Sequence, residues 1–314
     1  MSSRKPAMKP FTLKDFQAKY PDDAICLEWL RNYLYPDGIY CNKCEATTKH
    51  HRVASRPSYS CDHCGHHVHP TANTIFHKSS TPLTTWFYAI YLMASTRCGI
   101  SAKQIQRETG VTYKTAWRMF KQIRSMLGDG LGKPIGGKGS RGVEVDETWI
   151  GGTRRVGSGN KKHLTMVVGM AERGGQVRAF TEVNARTGAT LLPIVREHVL
   201  PKSTVFTDEL KAYDGVSHIR DRRYTHHRIN HSEKVYVAGD VHTNSIEGFW
   251  GLVKNGIRGV YHSVGKSYLQ SYLDEYSFRY NRRFDTQPMF LSILKQVEKR
   301  DVVVRQTRPE VVPF

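Results

Sequence analysis

The stretch Gly142-Val143-Glu144-Val145-Asp146-Glu147-Thr148-Trp149-Ile150 reads as a β-strand. It is rich in β-branched and aromatic residues and carries an acid, Asp146, in its middle. A second apolar run, Ser203-Thr204-Val205-Phe206-Thr207, ends at Asp208. A third segment, Asn244-Ser245-Ile246-Glu247-Gly248-Phe249-Trp250, has helical character. Lys254 follows Glu247 by about two helical turns, so Asn244, Glu247 and Lys254 share one face. Two carboxylates from strands and one from a helix can hold two Mg²⁺ about 4 Å apart, the arrangement used for in-line attack on phosphodiesters. A single acid at a strand end is ordinarily just solvated; the order of all three is what points to chemistry.

Around these acids the pattern predicts strands over 143–150, 164–171 and 176–183, then a helix over 187–199 and the strand that ends at Asp208. A short helix and a fifth strand near 227–230 follow, with helices over 243–255, 266–282 and 287–299. Three antiparallel strands, a helix, a strand, a helix, a strand and a closing helix describe the ribonuclease-H-like order. The expected class is therefore a multidomain α+β chain: a ribonuclease-H-like α/β domain over 143–300, preceded by smaller units and followed by a tail over 301–314.

Upstream, seven glycines fall between 128 and 142, and the reading places a flexible linker over 129–142. Before it, 79–128 reads as a helix-turn-helix unit. Ser101 can cap a helix that ends at Gly110, and Thr112 can cap the next. Ile105, Val111, Ala116, Phe120, Ile123 and Leu127 fall at helical spacing. That leaves Tyr113, Lys114, Arg118 and Lys121 on the outer side of a helix suited to a major groove, against the plainer reading of a solvated basic face.

Residues 39–78 contain Cys41-x-x-Cys44 and Cys61-x-x-Cys64. The spacing is that of a four-thiolate zinc ribbon binding one structural Zn²⁺, with a disulfide pairing as the alternative. His63, His66, His67 and His69 crowd the second knuckle as polar surface or DNA contacts, or as a substitute ligand. Cys26 and Cys98 read as core thiols, and residues 1–38 as N-terminal helices.

Composition narrows the partner. Lys and Arg number 47 against 28 Asp and Glu, a formal net charge of +19, which favours a polyanion and nucleic acid above all. With 39% hydrophobic residues the chain folds rather than remaining disordered. No apolar stretch is long enough to span a membrane, and no signal region follows Met1-Ser2-Ser3-Arg4-Lys5, so cytoplasmic, nucleoid-associated residence is expected.

At Val145-Asp146-Glu147-Thr148-Trp149-Ile150-Gly151-Gly152, His242-Thr243-Asn244-Ser245-Ile246-Glu247-Gly248-Phe249-Trp250 and Tyr272-Leu273-Asp274-Glu275-Tyr276-Ser277-Phe278-Arg279-Tyr280-Asn281, the chain resembles a known family. These are the zinc-ribbon DDE transposases of prokaryotic insertion sequences, the ISXO2-like group related to eukaryotic Merlin transposases. The resemblance runs from about residue 15 to about residue 295. It implies Mg²⁺-dependent (or Mn²⁺-dependent) DNA cleavage and strand transfer at terminal inverted repeats, by a homodimer or larger assembly on double-stranded element and target DNA. Asp146 and Asp208 would be the first two catalytic acids. Glu247 is assigned as the third, with Lys254 at the Glu-x6-Lys spacing and Asn244 as the alternative third position. Arg154, Arg155, Lys161 and Lys162, just beyond the first catalytic strand, are expected to touch DNA backbone. The first knuckle departs from the family pattern: Asn42 and Glu45 stand where Pro and Gly are usual. A catalytically silent DNA-binding regulator and a structure-selective nuclease of the same fold are the rival readings.

Overall fold

Residues 10–128, 133–151, 164–181, 183, 185–229 and 244–298 are described by a computed structural model of the chain. They divide into two compact units, one of Phe11–Tyr91 with the residues from Leu294 on, the other of Leu92–Ile293 with Pro10. The expected tail over 301–314, the basic loop residues Arg154, Arg155, Lys161 and Lys162, and positions 129–132 lie outside the described residues.

In the first unit, a capping box between Thr12 and Asp15 starts α1 (Leu13–Lys19), and the Asp22 carboxylate starts α2 (Asp23–Leu34). Two small antiparallel sheets follow. β1 (Ile39–Cys41) pairs with β2 (Ala46–Thr48), and β3 (His50–Val53), β4 (Ser58–Cys61) and β5 (His67–Val68) form the second. Helix α3 (Leu83–Ser95) begins where Asp23 Oδ1 accepts from both the amide and the hydroxyl of Thr84, each at 2.8 Å. Buried rings of Phe16, Tyr20, Phe76, Trp86 and Phe87 fill this unit. Leu27 and Leu30 of α2 and Ile90 of α3 add aliphatic packing, and Ile39, Tyr59 and Ile75 join from the ribbon.

In the second unit, α4 (Ala102–Thr109) and α5 (Tyr113–Arg124) are capped by Ser101 and Thr112, and Gly110 closes α4 in the left-handed region at φ +71°. The short β6 (Ile135–Gly136) precedes the main sheet strands β7 (Val143–Ile150), β8 (Thr165–Glu172) and β9 (Val177–Phe180). Next come α6 (Gly188–His198), β10 (Val199–Leu200), β11 (Thr204–Thr207) and β12 (Thr225–Arg228). Helix α7 (Asn244–Gly256) runs into a π-helical turn, and α8 (Lys266–Asn281) and α9 (Met289–Leu294) complete the chain's described elements. The main sheet has the order β12-β11-β7-β8-β9; β7, β8 and β9 are antiparallel, while β11 lies parallel to both neighbours. One face, with Val143, Val145, Val168 and Met170, packs on Leu191 and Val195 of α6. The other, with Ile150, Val167 and Ala171, packs on Ile246, Phe249, Trp250 and Val253 of α7. Strand alternation along β7 accounts for this two-sided burial.

The glycine-rich stretch is built into this unit where it is described. β6 pairs in parallel with β10, and a Cβ at Gly142 (φ +99°) would come 2.4 Å from Phe206. Residues 92–293 being one unit, the α4–α5 pair shares it with the sheet, across the stretch that the sequence reading treats as a linker. Arg124 at the end of α5 is buried against Glu275 of α8, Nε to Oε2 at 2.8 Å, and its guanidinium lies 3.9 Å from the Tyr272 ring centroid. Arg279 pairs with the same carboxylate at 2.9 Å and donates to the Thr96 carbonyl at 2.7 Å. Cys26 is buried as expected, whereas Cys98 is exposed: it lies in the turn beyond α3 and not in a helix.

Glu144 positions α7. It points to the α7 face of β7, fully buried, and its Oε2 accepts from the Ser245 and Ile246 amides at 2.8 and 3.0 Å. Arg173 donates to Oε1 at 2.8 Å. The carboxylate thus satisfies amides that the first turn of α7 leaves unpaired, and it complements the helix dipole. Replacing it with alanine strands those amides and a largely buried guanidinium. We expect Glu144→Ala to lower unfolding free energy by ~3–5 kcal/mol, measured by urea denaturation followed through tryptophan fluorescence.

Candidate active site and zinc centre

Asp146 lies on β7 opposite Gly169 of β8, and Asp208 directly follows β11. Pairing of β7 with β11 runs over Val143–Glu144 against Val205–Phe206, and past that point this edge of β7 is open among the described residues. Asp208 sits where its strand stops beside this edge, a position where parallel strands leave a crevice for ligands. Carboxylate oxygens of Asp146, Glu147 and Asp208 lie within 4.8 Å of one another. Oxygens sharing one Mg²⁺ at 2.1 Å stand at most about 4.2 Å apart, so the three need only a small closure to fit a hard divalent cation.

Each acid is held. Trp250 Nε1 donates to Asp146 Oδ2 at 3.1 Å, and the Leu210 amide donates to Asp208 Oδ1 at 3.0 Å. Tyr213 donates to Glu147 Oε2 at 2.6 Å, and the Arg186 guanidinium pairs with Oε1. Burial pushes the Asp146 carboxyl up to about 7; the charges of Glu147 and then Asp208 add to the rise, and the Trp250 hydrogen bond opposes it.

Of the acids expected from sequence, the structure brings Asp146 and Asp208 together. Glu247 and Asn244 are exposed on α7 and do not join the group of three. Glu247 stands one turn before Trp250, the α7 residue that touches Asp146, and Lys254 is half-buried one turn after it. Glu147 was not anticipated. Alternation would send its side chain to the face opposite Asp146, yet an oxygen of each lies within 4.8 Å of the other and of Asp208. Tyr113, Lys114, Arg118 and Lys121 are all exposed on α5, with Lys103 over the Tyr113 ring at 4.7 Å and Lys121 near Trp117 at 5.7 Å.

The four cysteines Cys41, Cys44, Cys61 and Cys64 form the other cluster. Cys41 and Cys64 sulfurs are 3.5 Å apart and those of Cys44 and Cys61 3.9 Å. Sulfurs 2.3 Å from a tetrahedral Zn²⁺ stand about 3.8 Å apart, so the set fits that ion. The Thr48 hydroxyl, 3.1 Å from Cys61 Sγ, is the main reason the Cys61 thiol is pushed down to about 5. Both knuckles need positive φ: Gly65 has +69° and Glu45 +51°. Glu45 therefore holds the strained backbone that a glycine would hold without strain.

This architecture has counterparts among known proteins. Residues 21–67 match the transposase zinc-ribbon domain, and residues 138–281 match the ISXO2-like transposase domain. An uncharacterized protein in transposable element ISH50 of Halobacterium salinarum is 27% identical over 271 residues, covering 80% of this chain and 88% of that relative. An uncharacterized transposase-like protein of Haemophilus influenzae is 36% identical over 116 residues, 37% of this chain and 88% of that one. Mobile DNA is the theme that all four share. The chain belongs to the ISXO2-like transposase family, with an N-terminal zinc ribbon and a mixed α/β C-terminal domain.

Trp250 reaches Asp146 only because β8 has no side chain beneath it. A Cβ at Gly169 would come 2.4 Å from Trp250 Cζ2 and 2.8 Å from Ile246 Cδ1. Gly169→Ala should displace the indole and cost ~1–3 kcal/mol of stability through overpacking. Near-ultraviolet circular dichroism would register the displaced tryptophan and thermal melts the lost stability.

Proposed function

We propose that this protein is a DDE transposase that cleaves DNA at the terminal inverted repeats of its element and joins the freed ends to target DNA. The observation that carries the reading is the convergence of Asp146 and Asp208 at the open edge between two parallel strands, with Trp250 of α7 bonded to Asp146. The strand order β9-β8-β7-β11-β12, with β8 antiparallel, supports a ribonuclease-H-like assignment. Asp146, Asp208 and Glu247 would hold two Mg²⁺ (or Mn²⁺). When bound, these ions supply activation of the attacking hydroxyl and neutralise charge on the departing oxygen.

The protein's own groups do the positioning. Trp250 fixes the Asp146 carboxylate and the Leu210 amide fixes Asp208; Glu247, exposed on α7 one turn before Trp250, would complete the set from that helix. Asn244 is the alternative at the third position. Lys254 contacts a phosphate beside the scissile bond. Tyr113, Lys114, Arg118 and Lys121 on α5 read or grip duplex DNA, and Arg154, Arg155, Lys161 and Lys162 add backbone contacts. One structural Zn²⁺ at Cys41, Cys44, Cys61 and Cys64 supplies folding free energy to a ribbon with little core of its own. Two element ends require two such sites, hence a homodimer or larger assembly.

Asp146→Asn, Asp208→Asn and Glu247→Gln should each lower end cleavage by at least about a thousandfold, a loss of roughly 4 kcal/mol in transition-state stabilisation, while end-DNA binding persists. The check is a gel-based cleavage assay with Mg²⁺ beside fluorescence anisotropy. Wild-type cleavage by Asp146→Asn would overturn the reading; cleavage by Glu247→Gln but not Asn244→Ala would move the third position to Asn244.

The raised Asp146 carboxyl gives a pH signature. Between the ordinary value of 3.8 and about 7, the folded metal-free protein binds more protons at this group than the unfolded chain does. Stability from this group therefore falls as pH rises through that window. Thermal melts of zinc-loaded, Mg²⁺-free protein should show this fall for wild type and lose it in Asp146→Asn. Added Mg²⁺ should stabilise wild type more at pH 8 than at pH 5.5, because protons compete for the same carboxylate.

A further inference from the structure

We propose that Glu147 is a positioning residue of the cation site, a carboxylate beyond the DDE set that tightens divalent-metal binding at Asp146 and Asp208. The inference rests on the proposed function and extends it to a residue outside the expected triad. Glu147 is buried on the face of the sheet that packs against α6, a place where a charged group is costly unless paired. It is paired on both oxygens: Tyr213, itself fully buried, donates to Oε2 at 2.6 Å, and Arg186 meets Oε1. Those partners fix the direction of the carboxylate.

Its direction is toward the metal site. An oxygen of Glu147 lies within 4.8 Å of oxygens of both Asp146 and Asp208, although alternation along β7 would separate 146 from 147. A purely structural carboxylate gains nothing from standing beside two others; like charges at that range repel. The arrangement is stabilised once a divalent cation lies among them. Arg186, about half exposed, is the positive charge that Glu147 holds in the structure, and its exposure leaves it room to withdraw when a metal ion brings charge of its own. Hydrogen-bonded groups around a metal typically change its affinity by about 10–100-fold when removed.

Mn²⁺ binding, followed by electron paramagnetic resonance on the full-length zinc-loaded protein, tests this without reference to activity. Glu147→Gln should weaken Mn²⁺ affinity by about tenfold or more, with zinc content and far-ultraviolet circular dichroism unchanged. Glu147→Asp should recover part of the loss. Wild-type affinity in a folded Glu147→Gln variant overturns the inference. Should that variant fail to fold, Tyr213→Phe, which frees the carboxylate but leaves it in place, should still weaken Mn²⁺ severalfold; unchanged affinity there overturns it equally. Asp146→Asn separates the two levels. If it loses Mn²⁺ while Glu147→Gln does not, only this inference fails; if Asp146→Asn keeps wild-type affinity, the proposed metal site fails with it.

Discussion

The buried Glu144 carboxylate is the constraint on which the site depends. It is fixed on β7, and it holds the first turn of α7 through two backbone amides. Asp146 lies two residues further along the same strand and on the same face, and Trp250 lies in the second turn of the helix that Glu144 holds. The hydrogen bond from Trp250 to Asp146 therefore closes a loop between strand and helix whose other end is the Glu144 cap. Gly169 completes the arrangement by leaving room for the indole against β8. Any group that α7 brings to the acids takes its register from this cap, and on the proposed function Glu247 is such a group.

A second buried carboxylate does comparable work for the helix pair. Glu275, fully buried on α8, binds Arg124 from α5 and Arg279 from its own helix. Such a triad contributes little net stability compared with an apolar core, yet removing one member leaves a charge without compensation. Its effect is to specify one relation between α5 and α8, reinforced by the edge-on contact of Trp117 with Tyr268 at 5.4 Å. On the proposed function, the DNA-reading helix is consequently set against the catalytic sheet by packing. Arg124 shows why cutting the chain just after α5 would be a poor test of DNA binding: the truncated helix would end in an arginine built for a buried partner.

Much of this was legible in the sequence because the relevant signals are local. Ser101, Gly110 and Thr112 define two helices by cap chemistry alone, and both appear with those caps. The spacing of Cys41, Cys44, Cys61 and Cys64 describes a tetrahedron before any fold is known, and the sulfurs are found together. Glu147 and Glu144 were hidden for the opposite reason. Within an alternating strand an acid's partners come from distant segments: Tyr213 and Arg186 for one, Arg173 and the start of α7 for the other. Glycine composition misled in its own way. A glycine chosen for positive φ beside Phe206, as at Gly142, has the same letter as one chosen for flexibility.

The chain's charge and its acid cluster pull in opposite directions. The formal net charge of +19 favours a polyanion as partner. At Asp146, Glu147 and Asp208 the local field is reversed, and a phosphate arriving there meets three carboxylates within 4.8 Å of one another. On the proposed function, long-range attraction delivers DNA to the protein but cannot by itself seat the scissile phosphate. Seating needs divalent cations to convert a repulsive pocket into an attractive one. Grip and cutting are thereby governed by separate charges: the surface cations set how firmly DNA is held, and the acids make cleavage conditional on metal. A carboxylate cluster inside a strongly basic protein is, on this view, what keeps a DNA-binding surface from cutting wherever it binds.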